Sequence, residues 1–333
     1  MSATTSDSVP EDLKTLFDPK TCTRKGLCPV TEIRKQGEDP LESHSLYFEV
    51  HGSGPERIVF IMGLNSTSFA WAPQVEHFGR LPEYSVLVFD NRGVGNSGVP
   101  KGPYSTSQMA QDAIVLLDYI GWKEERSIHV VGISLGGMIS QELATRVPER
   151  IVSLTLAVTT PGGWRPFANL PTWKGVSGLT RATFITDPAK KIPIVLEMVY
   201  PVGWLDQVAE DDPLGRTNRE LQTEAYADRM LVTRPQSFIG AFSQMLAGMT
   251  HQVLPDRLQF ISKSIPKVLI VTGDQDNLVD TRHSEKLKEC MPEAEFVRFE
   301  GTGHGIHAQQ RKKFNALLER VFKEGREKVR GGQ

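Results

Sequence analysis

From residue 44 onward, apolar runs alternate with short polar turns. "HSLYFEVH" (44–51) alternates apolar and polar positions, which predicts a half-buried strand. The turn "GSGP" follows, and then "RIVFIM" (57–62) runs apolar as a second strand. "YSVLVFD" is a third such run and ends at Asp90. "STSQMAQDAIVLLDYIGW" predicts a helix, with Ser105 and Gln108 at capping-box spacing and Ala110, Ile114, Leu117 and Ile120 on one apolar face. The strand "SIHVVG", the helix "GGMISQELATRVPER" and the strand "IVSLTLAV" come next.

Strand signals then cease between about Pro161 and His251, where helix and loop mix with several prolines. They return in "KVLIVTG", followed by the helical "RHSEKLKECM", the strand "AEFVRFE" and a last helix from about Ala308 to Glu324. Near-continuous apolar strands alternating with helices predict an α/β fold, a mostly parallel central sheet covered by helices on both faces. The strandless stretch is inserted between two such units, so it is expected to cap the top of the sheet. The organisation that follows is an N-terminal arm over 1–40, polar and partly disordered, a core over 41–160 and 252–333, and a mainly helical cap or lid over 161–251. No internal repeat is found.

Composition changes this picture little. With 333 residues, 39% hydrophobic and 23% charged, the chain reads as an ordinary globular one. A net charge of -2 offers no basic excess for nucleic acid or an anionic membrane. Cys22, Cys28 and Cys290 are odd in number and sparse, which argues against a disulfide framework and for packing roles. The N-terminus lacks the pattern of a signal or transit peptide, and no apolar run reaches membrane-span length, so a cytoplasmic location is expected.

Chemistry enters at "VVGISLGGM", which sets Gly132, Ser134 and Gly136 at G-x-S-x-G spacing between a strand and a helix. A serine on so sharp a turn is held above the sheet, with a helix N-terminus aimed at whatever reacts there. A hydroxyl needs a base to become a nucleophile, and the base needs an orienting acid. On this kind of turn the chain order is serine, acid, histidine. Here "VTGDQDNLVD" and then "EGTGHGIHAQQ" follow the serine, each after an apolar strand. Asp276 reaches further toward the serine loop than Asp274, which sits at the strand end where carboxylates hold turns. Asp280 reads as a helix N-cap. His304, flanked by Gly303 and Gly305, is the expected base, since those glycines leave its approach to Ser134 unobstructed. His307 reads as a helix-start residue in preference to a rim residue. A metal pair of His304 and His307 lacks further ligands nearby. The backbone N–H groups of Leu135 and Leu64, the latter after the turn at Gly63, are the expected oxyanion donors.

These motifs resemble the α/β-hydrolase superfamily, in its lid-bearing serine-hydrolase branch, from about His44 to Phe322. The resemblance is densest in "VFDNRGVGNSG", "HVVGISLGGM", "GDQD" and "GTGHG". It implies Ser134 as nucleophile, Asp276 as acid and His304 as base, with Asp90, Arg92, Gly93 and Gly95 structural. It also implies departures. Met62-Gly63 stands where His-Gly is common, and a serine at 134 argues against the epoxide-hydrolase and haloalkane-dehalogenase branches, which use aspartate there.

In the cap, Trp164, Phe167, Trp173, Phe184, Tyr200 and Trp204 either line an apolar acyl or alcohol pocket or form the lid's own core. The methionines of "AFSQMLAGM" read as core. The expected activity is hydrolysis of a small, apolar carboxylic ester through an acyl-enzyme, with no cofactor or metal required. Thioester hydrolysis, acyl transfer and cofactor-free perhydrolase chemistry use the same triad. A binding or receptor protein on this fold is the alternative of another class. Oligomeric state is not legible in the pattern.

Overall fold

The computed structural model describes residues 13–32, 42–163, 172–185 and 187–331. Its elements run in chain order as β1 (Cys22–Glu32), β2 (Glu42–His51), β3 (Glu56–Ile61), α1 (Ala72–Phe78), β4 (Tyr84–Phe89), α2 (Thr106–Ile120), β5 (Ile128–Ile133), α3 (Leu135–Ala144) and β6 (Ile151–Ala157). The helices α4 (Trp173–Phe184), α5 (Pro188–Val199), α6 (Val202–Leu205), α7 (Asn218–Val232), α8 (Phe238–Met249) and α9 (Pro255–Ser264) follow. The chain closes with β7 (Lys267–Gly273), α10 (Thr281–Cys290), β8 (Glu295–Phe299), α11 (Ile306–Gln309) and α12 (Arg311–Gly331).

The strands form one sheet in the order β1-β2-β4-β3-β5-β6-β7-β8. β2 is antiparallel to both β1 and β4, and every pairing from β4 to β8 is parallel. Alternate strand residues feed two cores. Val59, Ile61, Val130 and Leu154 pack with α2, α3 and α9 on one face, while Ile58, Phe60, Val131 and Leu269 pack with α1 and α12 on the other. That division is why the strands read as unbroken apolar runs rather than alternating ones. β3 lies between β4 and β5, so successive connections leave it in opposite directions. Such a switch point opens a crevice at the carboxyl ends of the strands.

The arm expected over 1–40 needs correction at Cys22–Glu32, an edge strand in register with β2 (Leu27 opposite Tyr47, Cys28 opposite Leu46). Gly26, Cys28 and Val30 face inward with the period of two that a strand requires. Arg24, Lys25 and Pro29 hide that period. Charges and proline are tolerated there because the strand has only one neighbour.

α2 carries the capping box read from Ser105 and Gln108, and ends at Gly121 with φ 84°. Its buried face is centred on Met109, Ala113 and Leu116 as well as Ala110 and Leu117, and Ile114 and Ile120 lie at its margin. The last helix begins later and runs longer than expected, as α12, after the short α11.

Between β6 and β7 the described residues form helices and no named strand. Trp164, Phe167 and the Phe184 side chain lie outside the described residues. No helix among the described residues is long and apolar enough to cross a membrane.

The turn after β4 is built on buried charge. Asp90 accepts from the backbone N–H of Ser68 (2.7 Å) and of Asn96 (2.8 Å), and burial pushes its carboxyl up to about 6. Gly95 is required there, since a Cβ would sit 2.1 Å from Asp90 Oδ2. Arg92 donates from Nε to Asp112 Oδ2 (2.7 Å) and from Nη2 to Oδ1 (2.6 Å), with both side chains almost wholly buried. Removing one member of a buried pair strands the other's charge. Asp112→Ala is therefore expected to lower unfolding free energy by about 3–5 kcal/mol, read by urea titration. A loss below ~1 kcal/mol would show the pair to be dispensable.

Candidate active site

Ser134 joins β5 to α3 with φ 55° and ψ -121°, a conformation that a side chain rarely adopts. The surroundings hold it there. Its N–H donates to Ala157 O (2.9 Å), and its carbonyl accepts from Gly137 N–H (2.9 Å) and from Thr159 Oγ1 (2.7 Å). Both flanking glycines answer to close packing. A Cβ on Gly136 would lie 2.0 Å from Ile61 O, and one on Gly132 would lie 2.2 Å from Ser140 Oγ.

The loop after β3 lies against this serine. A Cβ on Gly63 would approach Ser134 Cβ to 3.1 Å and Oγ to 3.6 Å, which places this loop tightly against the serine. Leu135 opens α3, and its N–H is among the first four that a helix leaves without an internal partner. Leu64 and Leu135 line the same cavity as Ser134. Sequence reasoning missed how the loop is held. Gln244 of α8, fully buried, accepts from Asn65 N–H (2.9 Å) and donates to Arg92 O (2.7 Å). Gln236 donates to Asn65 Oδ1 (2.7 Å).

The three aspartates after β7 separate cleanly. Asp276 Oδ1 accepts from the N–H groups of Leu278 (2.7 Å) and Val279 (2.9 Å), which turns Oδ2 toward the histidine loop. His304 Nδ1 donates to that oxygen at 2.7 Å, with both side chains buried. A carboxylate only accepts, so the proton on Nδ1 is fixed and Nε2 is left as the basic nitrogen. Asp274 is exposed and accepts from Thr302 N–H (3.1 Å), while Asp280 caps α10.

The glycines beside His304 answer to a different contact from the one expected of them. A Cβ on Gly303 would meet Val199 O at 2.6 Å, and one on Gly305 would meet the Tyr200 ring at 2.3 Å. They admit the end of α5, not the serine. His307 is a helix-start residue as expected, in α11, and it reaches the cavity as well. It is buried, lines the cavity, donates from Nε2 to Ala70 O (3.2 Å) and packs on Trp71 with ring centroids 4.9 Å apart. Burial pushes it down to about 3, with the Arg229 charge adding to the effect.

Ser134, His304, Leu64 and Leu135 all border one cavity of ≈ 1660 Å³. Tyr200 and Trp204 line it and pack on each other, whereas Trp173 is 83% exposed. Met245 and Met249, read from sequence as core, also line it. Far along the sheet, Cys22, Glu49 and His51 form a small cluster with ligand atoms within 4.8 Å of one another. Burial pushes the Cys22 thiol up to about 11, which keeps it neutral and a poor ligand.

The buried histidines make the fold acid-sensitive. Burial holds His251, like His307, at about 3 in the native state, against ~6.5 when unfolded. Both are neutral when folded, so their contribution is present above pH ~6.5 and is lost as pH falls toward 3. Asp90, raised to about 6, acts in the opposite direction over 6 to ~3.8, but burial also lowers His129 and His283, so the histidines outnumber it. Unfolding free energy is expected to drop by at least about 1.4 kcal/mol per pH unit between pH 5.5 and 4.5. Denaturant titrations check this, and a flat or rising stability over that window would contradict it.

Comparison with known proteins agrees with this fold. The family profile described as alpha/beta hydrolase fold matches residues 56–310. The chain is 26% identical over 284 residues to a putative carbamate hydrolase, RutD, of Azorhizobium caulinodans, covering 82% of this chain and 93% of that one. It is 25% identical over 266 residues to 3-oxoadipate enol-lactonase 2 of Acinetobacter baylyi, covering 80% and 88%. A thermophilic esterase from Thermogutta terrifontis shares the fold, with a TM-score of 0.68 at 18% identity over 91% of this chain and 99% of that one.

Proposed function

Because the chain belongs to the alpha/beta hydrolase fold family and is a hydrolase, we propose that it cleaves a carboxylic ester through a Ser134–His304–Asp276 triad. The observation that carries this reading is the His304–Asp276 hydrogen bond of 2.7 Å beside a serine on a strained turn, opening on one cavity. Ser134 Oγ attacks the ester carbonyl carbon and passes its proton to His304 Nε2. The carbonyl oxygen gains the negative charge and takes hydrogen bonds from the N–H groups of Leu135 and Leu64. His304 returns the proton to the departing alcohol. Water, deprotonated by the same nitrogen, then releases the acid and restores Ser134. The names of two relatives, a putative carbamate hydrolase and an enol-lactonase, favour this reaction class. In this reading the helical insertion over 161–251 is a cap on the core of 41–160 and 252–333.

The test is a panel of p-nitrophenyl esters and matched thioesters of increasing chain length, with and without an added alcohol. Ester turnover in water with a preferred chain length supports the proposal. Dominant acyl transfer to the alcohol, or thioester cleavage alone, would reassign the acceptor or the leaving group. No turnover of any member would leave a binding protein on this fold.

A further inference from the structure

The cavity contains a charge that the triad does not use. Arg229, in the last turn of α7, lines it. Among the described residues no carboxylate pairs with its guanidinium and no oxygen accepts from it. Its recorded contact is the Tyr226 ring, with Cζ 5.3 Å from the centroid. The carboxylates that border the cavity are engaged by other cations. Asp211 holds Arg311 (2.9 Å) and Lys312 (2.7 Å), and Asp212 holds Arg216 (2.7 Å). The neutral groups around Arg229 cannot balance it. Tyr200 is buried and donates its hydroxyl to Gln222 (3.0 Å), and His307 is neutral. Burial shifts Arg229, which is part-buried, downward, against smaller opposing contributions from Tyr200, Tyr226 and the exposed Asp228 beside it in the chain.

A cation in the last turn of a helix gains from the helix dipole. That accounts for a positive residue on α7 but not for one turned into a cavity beside aromatic rings. A guanidinium presents a planar fork that matches a carboxylate, and the pairing is stronger where water is thin.

We propose that Arg229 binds a carboxylate of the substrate, so that the compound cleaved at Ser134 is an ester with an apolar body and one anionic end. This rests on the hydrolase reading above and refines the apolar substrate expected from sequence. The pairing is a charge-assisted hydrogen bond in a part-dry site, which is typically worth about 10- to 100-fold in affinity.

Binding to Ser134→Ala, which does not turn over the ligand, tests the inference by calorimetry. Monomethyl glutarate is compared with dimethyl glutarate, and 4-acetoxybenzoate with its methyl ester, to place the charge on the acyl or the alcohol side. At least one anion is expected to bind about tenfold or more tighter than its neutral partner. Arg229→Met should erase the difference and Arg229→Lys should keep part of it, with thermal melts confirming that each variant folds. Equal binding within both pairs, or a preference that survives Arg229→Met, overturns the proposal. The two readings fail separately. Arg229-dependent anion binding without turnover by the wild-type protein sinks the hydrolase and keeps the subsite. Turnover of neutral esters with no preference for either anion does the reverse.

Discussion

Ser134→Ala abolishes fluorophosphonate labelling and lowers the rate of p-nitrophenyl ester hydrolysis by ~10⁴-fold or more, on the scale seen when a triad nucleophile is removed. The argument is chemical. In the proposed reaction the hydroxyl oxygen becomes bonded to the acyl carbon, and nothing beside it replaces that bond. Background catalysis from the oxyanion donors and from binding remains, so the residual rate is not zero. The fold should survive the change. The strained turn is held by main-chain contacts to Ala157, Gly137 and Thr159 and not by the serine's own hydroxyl. A melting temperature close to wild type is the control that separates lost chemistry from lost structure. Labelling that persists in a folded Ser134→Ala protein would move the nucleophile elsewhere.

Asp276→Asn lowers kcat by about 10³- to 10⁴-fold, and Asp274→Asn changes it by less than about tenfold. Leu278 and Val279 N–H groups both point at Oδ1, so the asparagine keeps its carbonyl oxygen there. Its NH₂ then faces His304 Nδ1 in place of Oδ2. An amide N–H there makes Nδ1 the acceptor and shifts the ring proton to Nε2, the nitrogen that has to take the proton from Ser134. The loss is thus one of tautomer more than of charge. Asp274, exposed and bonded to Thr302 N–H, shapes the loop one step away. Equal losses in the two variants, or a larger one at Asp274, would assign the orienting role to Asp274.

The parts of the fold that repeat with a fixed period were legible in the sequence, and the parts that depend on a distant neighbour were not. The parallel strands announced themselves because both faces are covered, leaving runs such as "KVLIVTG" with no polar interruption. β1 did not, because an edge position admits Arg24, Lys25 and Pro29. The glycines around Ser134 were read for a tight turn, and Ile61 O supplies the physical reason. Those around His304 were read for the wrong neighbour. Val199 and Tyr200 stand about a hundred positions earlier, and no local pattern points to them.

Within the insertion the difficulty was greater. Trp173 and Trp204 look alike in sequence, yet one is exposed and the other lines the cavity. Met245 sits on a helix whose apolar residues all fit a core pattern, and only the placement of α8 over the strand ends turns it inward. Arg229 read as one more charge on a polar helix. Its meaning depends on which carboxylates are already taken by other cations, and pairings such as Asp211 with Arg311 span a hundred residues.

Gln244 gives the insertion a mechanical asymmetry. Its amide ties α8 at once to Asn65, in the loop after β3, and to the Arg92 carbonyl. One turn earlier, Gly240 presses so closely on Gly93 that a Cβ would lie 2.3 Å from its carbonyl oxygen. α8 therefore belongs to the chassis rather than to the door. A tilt of this helix drags the loop after β3 with it. Any gap wide enough to admit a ligand without spoiling the alignment has to come from elsewhere in the insertion, and not from the end of α5, whose Val199 carbonyl accepts from Gly305 N–H (3.0 Å) beside His304.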